Sequence, residues 1–205
     1  MKKQKFLETL QKLSKDNKVF LLRKKQALDW YRIKIKNLLS AQSFIDPQTI
    51  FTKTDYQNLP AIGNIVSFKY DPKTKQKLNY YDIFPLVLII KLVPGGFVGL
   101  NFHYLPPIDR ALFMQKLYDY QRIGVTEKNI PKITINMTYS MLISKKSLFY
   151  YRACIKRYKN SHIRSMFYTL SPDEWDIALF LPTEKFVGAK KQNVWTESRK
   201  INSKI

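Results

Sequence analysis

The sequence predicts an α+β protein: a small SH3-like antiparallel β-barrel or sheet around residues 61–105, flanked by helices and preceded by a basic helical arm. Three observations carry that prediction. Apolar side chains alternate with period two, the mark of a half-buried strand, in closely spaced runs between Ile65 and Tyr104. Apolar residues at helical spacing lie before and after those runs. Finally, 45% hydrophobic residues, with 13 Tyr, 13 Phe and 3 Trp, can build a core despite a net charge of +21 from 36 Lys and Arg against 15 Asp and Glu.

Residues 1–46 read as a basic helical arm. Leu7, Leu10 and Leu13 recur at helical spacing, and a second segment from Val19 to Leu39 carries Leu21, Leu22, Leu28, Ile35 and Leu39. Asp16-Asn17 divides the two, and Asp46-Pro47 ends the arm because proline disfavours helix at the residue before it. The arm holds 12 Lys and Arg against 4 Asp and Glu, a balance of +8. It reads either as a solvated amphipathic helix or as an arm that binds DNA or a protein partner. Residues 47–60 form a polar connector.

The core domain, residues 61–187, opens with the turn Ala61-Ile62-Gly63-Asn64 and the alternating run Ile65–Tyr70. Asp71–Asn79 is a lysine-rich loop. Phe84–Val93 is apolar and β-branched, as expected of a strand buried on both faces. Pro94-Gly95-Gly96 is a turn, after which Val98, Leu100, Phe102 and Tyr104 alternate with Gly99, Asn101 and His103. Ile108–Tyr120 reads as a helix with Pro107 near its first turn, Ile133–Met137 as a short strand, and Ser147–Phe167 as a strongly basic helix. Ser171-Pro172-Asp173-Glu174 is a capping box opening a short helix that Pro182 closes. Residues 188–205 are a basic C-terminal tail, ordered only where it docks.

The charge points to a polyanionic partner, since a compact domain bears self-repulsion for every excess like charge. The prevalence of Lys, Asn and Ile fits an AT-rich coding background, so part of the excess is compositional. The longest apolar run, Ile83–Ile90, has eight residues, against the roughly 20 a bilayer span requires. Lys2, Lys3 and Lys5 are followed by no apolar signal-peptide core. No membrane association is expected. Cys154, the single cysteine, precludes an intrachain disulfide and a zinc site built on several thiolates.

One constellation carries the binding expectation. Lys145, Lys146, Arg152, Lys156, Arg157, Lys159 and Arg164 crowd a stretch without an acidic residue, interleaved with Phe149, Tyr150, Tyr151, Tyr158, Phe167 and Tyr168. On a helix, Arg152, Lys156 and Lys159 share a face that can track phosphates while the tyrosines stack on bases. The plainer reading is a helix with an aromatic core face and a solvated basic face. If the row tracks phosphates, reversing Lys156 and Lys159 to Glu weakens binding and spares the fold, with Lys73 and Lys75 as a weaker-acting control. The cluster Asp173-Glu174-Trp175-Asp176 serves the capping box rather than a metal, and His103 reads as structural rather than as a base. No nucleophile–base pattern and no phosphate-binding glycine loop is present in the sequence, so the chain reads as a non-enzyme with no cofactor, metal or small-molecule substrate.

Two stretches then carry a family resemblance. One joins Phe68-Lys69-Tyr70, Tyr80-Tyr81-Asp82, Phe84-Pro85-Leu86-Val87 and Gly96-Phe97-Val98-Gly99-Leu100-Asn101-Phe102-His103-Tyr104-Leu105-Pro106-Pro107. The other joins Ser171-Pro172-Asp173-Glu174-Trp175, Leu181-Pro182-Thr183-Glu184-Lys185-Phe186, Val194-Trp195 and Ser198-Arg199. Together, over about residues 61–110 and 147–200, they resemble the DNA end protectors of T-even-like tailed phages, minor head components. The resemblance implies a virion protein at the head or neck vertex, assembled in the host cytoplasm. It would bind the end of the packaged double-stranded DNA, shield it from host exonuclease and assist head completion beside head, neck or portal proteins. The alternative is a purely structural neck, portal or tail protein that joins virion subunits without acting on DNA ends.

Overall fold

The computed structural model describes residues 56–57, 59–106, 109–110, 113, 151–170 and 183–203. Its strands in chain order are β1 (Tyr56–Gln57), β2 (Ile65–Ser67), β3 (Tyr81–Asp82), β4 (Leu86–Val93), β5 (Gly96–Asn101), β6 (Ile155–Lys159), β7 (Phe167–Thr169) and β8 (Phe186–Val187). Six of them form one antiparallel sheet in the order β1-β7-β2-β4-β5-β6, and β3 pairs with β8 in a second, two-stranded sheet. The mixed α+β class expected from the sequence holds.

The β4–β5 hairpin is the spine. Leu86–Ile89 are buried on both faces, as the continuous apolar run predicts, and an irregularity between Ile89 and Lys91 shifts the register before the exposed end of the strand. Gly95, at φ +72°, takes the left-handed position the turn requires. Gly96 permits the close approach of β6, because a Cβ there would overlap the carbonyl oxygen of Tyr158. The strand ends at Asn101. Phe102–Tyr104 form a 3-10 turn rather than extending the alternation, and the Asn101 side chain caps it by accepting the His103 N–H.

An aromatic cluster closes the core beneath β2, β5, β6 and β7. Phe68 stands edge-on to Tyr158 and Phe167, each with centroids 5.2 Å away, and Phe97 stacks on Tyr158 at 5.3 Å. Such pairs each contribute about 0.5–1.5 kcal/mol beyond the area they bury. Beyond β2 the chain stays close to the segment after β6. Tyr70 bridges Ile163, Asp71 N–H donates to His162 O, and Arg164 N–H donates to Lys69 O.

The expected basic helix over Ser147–Phe167 is corrected among its described residues, 151–167. Arg152–Cys154 form a 3-10 turn, Ile155–Lys159 are β6, and Asn160–His162 form another 3-10 turn. The physical reason is the free edge of β5. Pairing Gly96–Leu100 with Lys159–Ile155 satisfies that edge and sets Tyr158 beside Phe97. Helical spacing among cations carries little information in a chain with 36 Lys and Arg. On a strand, Lys156 and Tyr158 share one face and Arg157 and Lys159 the other, so the row of Arg152, Lys156 and Lys159 does not form.

The C-terminal residues do dock. Helix α1 (Lys191–Ser203) buries Val194 and Ser198, four apart on one face, and Trp195 donates its indole N–H to His103 O at 2.9 Å. It packs on the turns Phe102–Tyr104 and Arg152–Cys154. Asp109, Arg110 and Phe113 are helical, within the helix expected at 108–120. The expected arm, the strand Ile133–Met137 and the capping box at Ser171 lie outside the described residues.

Candidate nucleic-acid interface

A cleft of about 430 Å³ opens between β6, the lysine-rich loop and β3. Tyr70, Tyr80, Tyr81, Tyr104 and Tyr158 line it together with Lys73, Lys156, Arg157 and Lys159, while Asp82 and Asn101 form its floor. The sequence places these groups far apart. The β5–β6 pairing and the β3–β8 pairing bring them to one opening.

The floor is a closed hydrogen-bond network. Asp82 accepts from Phe84 N–H at 3.1 Å with one oxygen, and from Asn101 Nδ2 at 3.1 Å with the other. That second oxygen also lies 2.7 Å from His103 Nδ1. Asn101 Nδ2 donates further to Tyr158 Oη at 3.1 Å, and His103 Nε2 lies 3.1 Å from Thr183 Oγ1. Asp, His and hydroxyl stand in the order of a nucleophilic triad, but all three residues are buried. A nucleophile must face its substrate. Here the arrangement ties β3, β5 and the chain entering β8 together, with His103 buried at its centre.

Behind it lies a second buried polar group. Arg110 Nε donates to Leu105 O at 2.7 Å, its guanidinium lies 3.6 Å from Glu184, and Lys191 Nζ lies 3.1 Å from the other Glu184 oxygen. Burial works to raise the Glu184 carboxyl, but the opposing cations, led by Arg110, hold it below its ordinary value. A carboxylate so depressed adds stability above its unfolded value and loses it as the pH falls through the folded one. Acid denaturation should therefore steepen below about pH 4.5, and Glu184→Gln should flatten that part of a stability–pH curve. An unchanged slope in the variant would remove Glu184 from the acid transition.

Lys156 is the unusual member of the cleft. Its Nζ sits 4.2 Å from the Tyr104 ring centroid, a cation–π geometry. Among the described residues no carboxylate lies within ion-pair distance of it. Desolvation lowers its pKa and raises that of Tyr104 well above the usual phenol range. On the far wall, burial and then a hydrogen bond to Glu197 push the Tyr80 phenol up to about 12.

Lys156, Arg157 and Lys159 all border one opening, Lys156 from the inner face of β6 and the other two from its outer face, where Arg157 donates to Pro94 O at 3.4 Å. Arg152 is exposed on its 3-10 turn and does not line the cleft. Arg164 is exposed beside Asp71, at 4.0 Å, and donates to Ser161 O. Lys145 and Lys146 lie outside the described residues. Two expectations change. Lys73 shares the cleft and cannot serve as a control, and Lys156 is half-buried with its ammonium over Tyr104, where a carboxylate would not leave the fold undisturbed. Sequence reasoning missed Lys73, Tyr80, Tyr81 and Tyr104 as site residues. Their signal was present, since three of them lie in the stretch that carries the family resemblance, which speaks to kinship and not to geometry.

Comparison with known families decides the kinship. Residues 34–204 match the family described as Phage T4 terminal DNA protecting protein. The chain belongs to that family. The match runs unbroken through the region between the two resembling stretches and reaches into the expected arm. Membership makes this a bacteriophage protein of DNA end protection, and it disfavours the purely structural alternative. The family is one of DNA-protecting proteins and is not known for an enzyme activity. No curated protein and no solved structure matches the chain. Among the described residues no helix is long and apolar enough to cross a membrane.

Proposed function

We propose that the protein protects a DNA terminus by seating it at the tyrosine-lined, cationic cleft beside β6, shielding the end from host exonuclease. The observation that carries this reading is the convergence of Lys73, Lys156, Arg157 and Lys159 on one opening with five tyrosines. Phosphates meet the cations, and the half-exposed rings of Tyr80 and Tyr81 offer surface to an unpaired base, with Tyr70, Tyr104 and Tyr158 buried behind them. Arg152 and Arg164 extend the positive surface along the flanking DNA, and Lys145, Lys146 and the basic arm of residues 1–46 before the connector 47–60 add further cationic contacts. In this reading residues 61–187 are the core domain and residues 188–205 a basic tail. The bridge of Tyr70 to Ile163 curls the six-stranded sheet toward an SH3-like barrel, which holds the cleft rigid. The protein acts in the virion at the head or neck vertex after assembly in the host cytoplasm. There it assists head completion beside head, neck or portal proteins, without a cofactor or catalytic step.

Binding to linear and covalently closed circular duplexes of one sequence, across a salt series, tests it. Linear DNA should bind more tightly at every salt concentration, with log K falling by about 0.9 per neutralised phosphate. Equal affinity for both topologies would sink end recognition.

A further inference from the structure

We propose that the cleft is a pocket for one terminal nucleotide, whose phosphate is taken by Lys156 and whose base lies against the half-exposed Tyr80 and Tyr81. This rests on the end-protecting reading and goes beyond it by stating which chemical feature marks an end.

Size comes first. A volume of about 430 Å³ is in the range of small-molecule sites, which run from about 300 to 1,000 Å³. It is too small for a duplex, whose major groove alone is about 12 Å wide. A nucleotide inside a duplex is paired and stacked, and pulling it out costs both its pairing and its stacking. A nucleotide at a frayed or unpaired end enters without that cost.

Charge comes second. Lys156 is a desolvated cation with no carboxylate in ion-pair distance among the described residues, held over Tyr104 at 4.2 Å. Glu197 acts on Lys156 only from beyond ion-pair distance, and an entering phosphate supplies a closer counter-charge. A terminal monoester carries about −1.5 to −2 near neutral pH, more than the single charge of an internal diester, so the pocket favours the group found only at ends.

Orientation comes third. Asp82 and Asn101 on the floor are bonded to each other, to His103 and to Tyr158. Glu197 stands at the Tyr80 side. The carboxylates of Asp82 and Glu197 disfavour a phosphate at the floor and beside Tyr80, although Glu197 also acts on Lys156 from beyond ion-pair distance. The phosphate is left on the β6 side, near Lys156 with Arg157 and Lys159, and the base is directed to the tyrosines. Tyr80 stands edge-on to Phe186 at 6.3 Å, so that wall is already in place.

The test uses the full chain and hairpin duplexes with one open end bearing a 5′-phosphate, a 3′-phosphate or hydroxyls only. A dumbbell closed at both ends is the end-free control. A phosphorylated end should bind about tenfold or more tighter than the hydroxyl end. A deoxynucleoside 5′-monophosphate should compete with it and raise the Tm of the free protein. Lys156→Met keeps an unbranched stem over Tyr104 and should erase the phosphate preference while the open end still outcompetes the dumbbell. If that variant does not fold, the mononucleotide titration of the unaltered chain decides. Phosphorylated and hydroxyl ends of equal affinity, with no competition by the mononucleotide, overturn the pocket while leaving end protection intact. A dumbbell bound as tightly as an open duplex overturns end protection instead. In that case a mononucleotide that still raises the Tm upholds the pocket, and one that does not overturns it too.

Discussion

Replacing Asp82 by Ala should destabilise the fold by about 3–5 kcal/mol, because it removes the buried acceptor that several hydrogen bonds share. The carboxylate is 5% exposed and receives Phe84 N–H, Asn101 Nδ2 and His103 Nδ1 at 2.7–3.1 Å. Its loss removes these bonds at once, and a buried group that loses its acceptor costs about 1–3 kcal/mol, although Asn101 Nδ2 keeps its bond to Tyr158 Oη. The damage spreads because Asn101 also caps the Phe102–Tyr104 turn and His103 also meets Thr183 and, through its carbonyl, Trp195. Sheet, β3 and α1 lose a common anchor. Urea denaturation checks this, with a lower midpoint and an unchanged slope. Asp71→Ala is the control, since its bridge to Lys75 is exposed on both sides and should be worth less than about 1 kcal/mol. An Asp82→Ala protein within about 1 kcal/mol of the unaltered chain would show that the network does not hold these elements together.

Reversing Lys73, Arg157 and Lys159 to Glu together should weaken binding to DNA ends by at least about tenfold at low salt, and lower the salt slope by about 0.9 for each phosphate no longer neutralised. All three are exposed at the cleft and none has a carboxylate within ion-pair distance among the described residues, so the fold should be kept. Lys156 is left in place because a carboxylate at its position would be buried among Tyr104 and Tyr158. Lys69→Glu with Lys91→Glu is the control. Both lysines are exposed and neither lines the cleft, so net charge changes without touching the site. A triple variant that remains folded and binds with unaltered affinity and salt slope would move the interface elsewhere.

The fate of the basic segment shows why part of the site was hidden. Lys156, Arg157 and Lys159 stand out in the sequence by charge, and all three line the cleft. They reach it on a strand, where period two separates Lys156 from its neighbours and turns it toward Tyr104. Short-range spacing cannot report that change, because the deciding interaction is the β5 edge, whose residues lie more than 50 positions away. Lys73, Tyr80 and Tyr104 enter the cleft through the β3–β8 and β5–β6 pairings in the same way.

By itself the sequence determined the class, the β2, β4 and β5 segments, the turn at Pro94-Gly95-Gly96, the polyanionic partner and the kinship. These rest on local alternation, on glycine and proline chemistry and on charge, all of which are properties of neighbouring residues or of the whole composition. Only the tertiary structure decided that Ile155–Lys159 is a strand, that Lys191–Ser203 docks as α1, and that Asp82, His103 and Thr183 meet although 101 positions separate the first from the last. The reason is that an unpaired strand edge and a buried polar group each demand a partner, and chain topology, which no local pattern encodes, settles which residue supplies it.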